Sequence, residues 1–160
     1  MRAGRKPAQP YAPQRRCGAA TLQAAHYSST SIENSRLMID HVSIGSRHYA
    51  EATAFYTRVL APLGLGLLRD CGKEAAFGSA QNWCFFIYPA DAPVTAPGAH
   101  IAWRAASREQ VARVHTVALA AGGKDLFTPR LRPDISDSYF GAMFSDLDGH
   151  RVEVTTDAAE

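Results

Sequence analysis

Apolar positions recur with a helical period in two stretches of the chain, and the two stretches match. In each, the apolar side chains lie three or four residues apart, which is typical of a helix with one buried stripe. The stripe holds Ala52, Phe55, Tyr56, Val59, Leu60 and Leu63 in the first stretch, and Val111, Val114, His115, Ala118 and Leu119 in the second. Gly64 follows the first stripe and Gly122–Gly123 follows the second, as expected for left-handed C-terminal caps. Ser107 and Gln110 have the spacing of a capping box at the start of the second helix.

Alternation with a period of two precedes each helix and predicts a strand there. These strands cover residues 39–45 and 99–104. In both, the apolar positions share the face that covers the helix, so His41 and His100 project from the opposite face. Three strand-like runs follow each helix: 65–69, 74–78 and 83–88 in the first half, and 125–128, 139–144 and 151–155 in the second, where an insertion is expected at 129–133.

The two halves are copies of one unit. A shift of 59 residues aligns them without a gap and places His41 on His100 and Gly64 on Gly123. Each half therefore has the order strand, helix and three strands, or βαβββ. Two copies of one unit are expected to share one interior and to contribute one histidine each to a pseudo-symmetric site.

A carboxylate joins the two histidines by the same parity argument. In the last strand Val152 and Val154 take the buried face, which turns Glu153 to the side of His41 and His100. Two imidazoles and one carboxylate can hold a divalent metal ion on one face and leave positions open for substrate or water. The sequence therefore predicts a metal site at His41, His100 and Glu153.

Four segments resemble the vicinal oxygen chelate superfamily, which includes glyoxalase I, the extradiol dioxygenases, methylmalonyl-CoA epimerase and the fosfomycin and bleomycin resistance proteins. These segments are residues 39–44, 54–60, 98–102 and 146–153. The resemblance covers about residues 38 to 156 and implies an α+β fold. In that fold two paired βαβββ modules, at about 38–90 and 98–156, form a curled mixed sheet around a central cavity. The metal positions of the superfamily fall on His41, His100 and Glu153.

One position departs from the glyoxalase I pattern. A second glutamate ligand is implied in the last strand of the first module, where this chain has Phe86. A three-ligand site is then expected, with Glu153 as the candidate catalytic group that moves a proton to or from substrate. Phe86 and Tyr88 are candidates for the wall of a substrate pocket, and Tyr139 and Arg132 for contacts with an anionic or oxygen-rich substrate.

Charge separates the N-terminal segment from the remainder of the chain. Residues 1–37 hold six Lys or Arg and one acid, whereas residues 38–160 hold 11 basic and 14 acidic residues. The first segment is expected to be a disordered basic tail, either a transit-like sequence or the result of a misplaced translation start before Met38. Residues 157–160 form a short C-terminal tail. The folded part has no basic stripe for nucleic acid and no apolar run long enough for a bilayer.

Three function hypotheses follow. The first is a metal-dependent glyoxalase-like enzyme, of lyase or isomerase type, that chelates a small oxygenated substrate on a divalent ion, with Zn, Ni, Mn and Fe all open. The second is an iron-dependent ring-cleaving dioxygenase, and the third is a metal-free resistance-type protein that sequesters its ligand. The modules close the site either within one chain or between two chains of a homodimer. Three cysteines without paired spacing favour a reducing, cytoplasmic setting, and the tail leaves organellar targeting open.

Overall fold

Each half of the chain folds as a strand, a helix and three strands. The computed structural model describes residues 39–92, 95–96 and 98–159. The first half contains β1 (Val42–Ser46), α1 (Tyr49–Leu60), β2 (Gly66–Asp70), β3 (Ala75–Ser79) and β4 (Asn82–Pro89). The second half contains β5 (His100–Arg104), α2 (Arg108–Ala120), β6 (Lys124–Leu131), β7 (Phe140–Ser145) and β8 (Arg151–Thr156). The α+β class and the paired βαβββ modules are thereby confirmed.

The strands form two four-stranded mixed sheets with the same topology. The order is β1-β4-β3-β2 in one sheet and β5-β8-β7-β6 in the other. In both sheets the first strand pairs in parallel with the last strand of its module, and the other pairs are antiparallel. The sheets do not close on each other within the described residues, so β2 and β6 are free edges.

The glycine cap after α1 and the N-terminal cap of α2 lie where the sequence predicts them. Helix α1 passes into a short 3-10 turn at Ala61–Leu63, and Gly64 then caps it with a positive φ of 76°. Such a backbone conformation carries no steric penalty for glycine. At the start of α2 the Ser107 hydroxyl accepts a hydrogen bond from the backbone N–H of Gln110 at 3.1 Å. The Gln110 side chain accepts from the N–H of Ala106, one residue earlier than in a standard capping box.

One shared core lies between the two halves. The buried stripe of α1 packs with β7 of the other half, where the rings of Phe55 and Phe144 lie 6.3 Å apart. The inner faces of the two sheets also meet, since the rings of Phe85 and Trp103 lie 5.5 Å apart. The helix-covered faces of both sheets contribute to this core, and the opposite face of each sheet is called its outer face below.

A buried polar contact joins α1 to the turn between β7 and β8. The Tyr56 hydroxyl donates to Asp146 Oδ2 at 2.9 Å, and Asp146 Oδ1 accepts from the backbone N–H groups of Asp148 and His150. Burial is the main reason why the pKa values of Tyr56 and Asp146 are both raised. The Asp-Leu-Asp-Gly-His segment therefore has a structural role in holding the two halves together.

The strand predicted at 125–128 is too short. Strand β6 continues into the expected insertion, through Pro129 to Leu131, and pairs with β7 up to Phe140. Proline cannot donate to a strand ladder, but an edge strand tolerates it because one side has no neighbour. The predicted tail at 1–37 and Met38 lie outside the described residues. Among the described residues, no helix combines the length and apolar character needed to cross a membrane.

Candidate metal centre

His100 and Glu153 meet on the outer face of the second sheet. They lie on the neighbouring parallel strands β5 and β8, where His100 pairs with Arg151 and Ala102 with Glu153. This register puts the imidazole Nε2 of His100 3.2 Å from Oε2 of Glu153. The glutamate side chain is 6% exposed and the histidine side chain 40% exposed, so the carboxylate is buried below an accessible imidazole.

Each of these two groups is oriented by a further contact. The Nδ1 atom of His100 lies 3.1 Å from the carbonyl oxygen of Gly98, a contact that an Nδ1–H donor satisfies. The Tyr139 hydroxyl donates to Oε1 of Glu153 at 2.9 Å, which leaves Oε2 for another partner. A neutral imidazole lone pair and a carboxylate oxygen repel each other at this distance unless a proton or a cation lies between them.

Tyr139 is suited to remain a donor. Burial raises its pKa above the ordinary value, and the bond to the Glu153 carboxylate adds to this increase. The phenol therefore stays protonated at neutral pH and is able to donate to Glu153.

His41, Phe86 and Tyr88 lie together in the other module. His41 directly precedes β1, and its Nδ1 lies 2.7 Å from Oδ1 of Asp40. Its ring meets Phe86 edge-on with centroids 5.2 Å apart. Tyr88 donates its hydroxyl to Glu74 Oε2 at 2.8 Å. The outer face of the first sheet thus holds one predicted ligand and both predicted wall residues.

A single chain brings together two of the three predicted ligands. His41 does not line the groove that holds His100 and Glu153. Within the ranges that the structure describes, no group of three or more His, Cys, Asp or Glu side chains is arranged to hold a metal ion. His41 precedes β1 of the first sheet, whereas His100 and Glu153 lie on β5 and β8 of the second, and the two sheets do not pair with each other within the described residues.

A groove of about 730 Å³ surrounds His100 and Glu153. Tyr139 and Arg132, both predicted from the sequence, line it, and Arg132 forms an ion pair with Asp134 at 2.7 Å. This contact raises the pKa of Arg132 and lowers that of Asp134. The residues that the sequence interpretation missed are Phe127, Arg130, Leu131, Asp134, Ile135, Met143 and Arg151. The parity of β8 could have identified Arg151, since it lies two residues before Glu153.

Comparison with known proteins gives one family and one fold. The model of the Glyoxalase/Bleomycin resistance protein/Dioxygenase superfamily matches residues 38–154. No curated protein matches the chain significantly. A glyoxalase/bleomycin resistance protein from Albidiferax ferrireducens T118 has a similar structure, with a TM-score of 0.67 and 23% identity over 75% of this chain and 98% of that one.

Two further solved structures have the same fold. One is a glyoxalase/bleomycin resistance protein/dioxygenase family enzyme from Burkholderia phytofirmans PsJN, with a TM-score of 0.60 and 14% identity over 74% of this chain and 98% of that one. The other is a mutant of the fosfomycin resistance protein FosX from Listeria monocytogenes in complex with Mn(II) and 1S,2S-dihydroxypropylphosphonic acid. Its TM-score is 0.57, with 22% identity over 72% of this chain and 86% of that one.

Proposed function

Because the chain belongs to the glyoxalase/bleomycin resistance protein/dioxygenase superfamily, we propose that it is a metal-dependent glyoxalase-like enzyme. In this proposal His100 and Glu153 hold a divalent ion on which a small oxygenated substrate is chelated. The observation that carries it is the 3.2 Å separation of His100 Nε2 and Glu153 Oε2, with the second atom of each group already engaged by Gly98 and Tyr139.

The two side chains fit a divalent ion. Nitrogen and oxygen ligands lie about 2.0–2.2 Å from a zinc ion, so two ligands at roughly a right angle are about 3 Å apart. The observed separation is close to this value. Metal-bound histidines generally use their second nitrogen to donate to a carbonyl or carboxylate, as His100 does with Gly98. A relative with the same fold was solved with Mn(II), which supports a divalent ion without selecting among Zn, Ni, Mn and Fe.

The third ligand in this proposal is His41 of a second copy of the chain. The ring of His41 is oriented in the same way as that of His100, because its Nδ1 contacts Asp40 and its Nε2 is left to bind a metal ion. Its side chain is 52% exposed. The groove beside His100 also exposes Leu131 (45%) and Ile135 (52%), large apolar side chains that another surface is expected to cover. A homodimer would place the outer face with His41, Phe86 and Tyr88 opposite this groove.

The chemistry follows from the groups around the pair. A divalent ion bound there would polarise a substrate oxygen and stabilise negative charge that develops on it. Glu153 would accept a substrate proton at Oε2 after that oxygen detaches from the ion, while the Tyr139 hydroxyl keeps Oε1 in place. Phe86 and Tyr88 of the second copy supply the apolar and polar parts of the facing wall.

Metal analysis tests this proposal. The wild-type protein is expected to bind one divalent ion per chain, and His100→Ala and Glu153→Ala are expected to lose it. His48→Ala is the matched control, since His48 is an exposed histidine at the start of α1 whose side chain makes no capping bond. Equal, negligible metal in the wild type and all variants would contradict the proposal, provided that circular dichroism shows the variants folded. A metal-free wild type that binds a flat organic ligand would instead support a sequestering protein.

A further inference from the structure

The groove around His100 and Glu153 is more positive than the remainder of the folded chain. Residues 38–160 carry three more acidic than basic side chains. The groove reverses this balance, because three arginines and two carboxylates line it. The arginines are Arg130, Arg132 and Arg151, and the carboxylates are Asp134 and Glu153.

The strands place two of these arginines next to the His100–Glu153 pair. Arg151 lies on the same face of β8 as Glu153, and its partner in the neighbouring strand β5 is His100. Arg130 comes from the edge strand β6, where it pairs with Gly141 of β7. Its guanidinium carbon lies 4.9 Å from the centre of the Phe127 ring, a stacking contact that limits its freedom without occupying its donors.

The available carboxylates are already engaged. Asp134 makes two short contacts with Arg132, at Nε and Nη2, and so neutralises that arginine. Glu153 accepts from Tyr139 at Oε1, and its Oε2 lies 3.2 Å from Nε2 of His100, the position assigned above to the ion. In the part of the chain that the structure describes, no carboxylate lies within ion-pair distance of Arg130 or Arg151.

Among the described residues, the acceptor found for the Arg151 side chain is a weak one. The contact found for its side chain is from Nη2 to the sulfur of Met143 at 3.4 Å. A thioether is a poor acceptor for a guanidinium, whose planar donors match the two oxygens of a carboxylate or phosphate group. Arg130 and Arg151 therefore offer unused, charge-assisted donors to whatever enters the groove.

We propose that Arg130 and Arg151 form an oxyanion subsite, so that the substrate carries a carboxylate or a phosphonate or phosphate group in addition to its chelating oxygens. This inference rests on the proposed function, because it assigns a substrate class to the same groove. The subsite itself is built by side chains of one chain and does not require the ion or a second copy. Anion binding and metal binding can therefore be measured separately.

The test is a titration of ¹⁵N-labelled protein, followed by NMR, after the metal has been removed with a chelator and the chelator dialysed away. Methylphosphonate and acetate are the two anionic probes, and propane-1,2-diol is the neutral probe. Either anion is expected to shift the Nε–H signals of Arg130 and Arg151, and the tighter of the two identifies the class of oxyanion. The diol is expected to leave these signals in place.

Substitutions distinguish anion binding at this subsite from nonspecific electrostatic attraction of anions to the protein. Arg130→Gln and Arg151→Gln are each expected to weaken binding of the preferred anion about tenfold, because each removes charge-assisted donors. Arg151→Lys keeps the charge and is expected to restore part of the affinity. Arg113→Gln, at an exposed position on α2 outside the groove, is the control and is expected to leave the affinity unchanged.

Three results would overturn the inference: unchanged anion affinity in both glutamine variants, an equal loss in Arg113→Gln, or equal shifts caused by the diol. Mn²⁺ titration of the same variants identifies which idea has failed. Wild-type protein that binds Mn²⁺ but neither anion retains the proposed function and loses the subsite. Protein that binds the anions through Arg130 and Arg151 but no metal retains the subsite and loses the proposed function.

Discussion

Removal of the Tyr139 hydroxyl tests how the metal centre is organised. In Tyr139→Phe the ring remains but the 2.9 Å bond to Oε1 of Glu153 is lost. Glu153 is 4% exposed as a residue, so water has limited access to replace the missing donor. The carboxylate then has more freedom to turn its Oε2 away from His100, and the metal ion must restore that orientation when it binds.

The magnitude follows from where the bond is made. A hydrogen bond to a charged group is worth about 1.5–3 kcal/mol. This bond is present both with and without the ion, so most of its free energy cancels between the two states. Only the part that comes from orienting Glu153 contributes to the metal affinity. Loss of such a supporting contact generally weakens metal binding about 10-fold to 100-fold, and we expect Tyr139→Phe to lie near the lower end.

Isothermal titration with Mn²⁺ measures this effect, and Tyr49→Phe is a matched control. Tyr49 makes the same kind of bond, to Asp70 at 2.6 Å, but in the first module and away from Glu153. Both variants are expected to unfold at somewhat lower denaturant concentration than the wild type. Only Tyr139→Phe is expected to bind Mn²⁺ more weakly. Equal Mn²⁺ affinities in the two variants would refute the orienting role of Tyr139.

Three further predictions concern the same site and its support. Gly141→Ala should weaken Mn²⁺ binding several-fold, since a Cβ at this position would lie 3.3 Å from Oε1 of Glu153; unchanged affinity by titration would contradict this. Ser107→Ala should lower the free energy of unfolding by about 1 kcal/mol in urea, because the N-cap bond of α2 is lost; a change near zero would show that the cap is dispensable. Burial raises the pKa of Asp146, so its carboxyl group binds a proton more tightly in the folded state than in the unfolded state. The contribution of Asp146 to the free energy of unfolding therefore falls as the pH rises from its unfolded pKa to its folded pKa. The stability advantage of the wild type over Asp146→Asn should therefore shrink across that interval in urea unfolding series, and an advantage that grows with pH would contradict the sign.

The sequence predicts the modules and the face on which each candidate ligand lies. Strand parity is a local property, so the positions of His100 and Glu153 follow from the alternation in β5 and β8 alone. The glycine cap at Gly64 and the N-cap at Ser107 are local as well, and both are confirmed. The vicinal oxygen chelate resemblance is confirmed by the family match over residues 38–154.

The arrangement of the two faces could not be derived from local patterns. It depends on which surfaces of α1, α2 and the sheets pack together, and a duplicated sequence is compatible with site faces that meet within one chain or between two. One groove-lining residue was missed for a similar reason. The predicted strand ends at residue 128 and leaves Arg130 in an insertion, whereas the free edge of the second sheet allows β6 to continue through Pro129 and Arg130.

The most direct measurement of the central claim is metal binding by a mixed dimer of His41→Ala and His100→Ala chains, co-expressed with different tags. If each centre takes His41 from one copy and His100 with Glu153 from the other, the mixed dimer has one intact centre and one that lacks both histidines. It should then bind one Mn²⁺ per dimer with wild-type affinity, while dimers of either variant alone bind weakly. A mixed dimer that binds no better than its parents, or a monomeric wild type that binds Mn²⁺ fully, would contradict a centre shared between two copies.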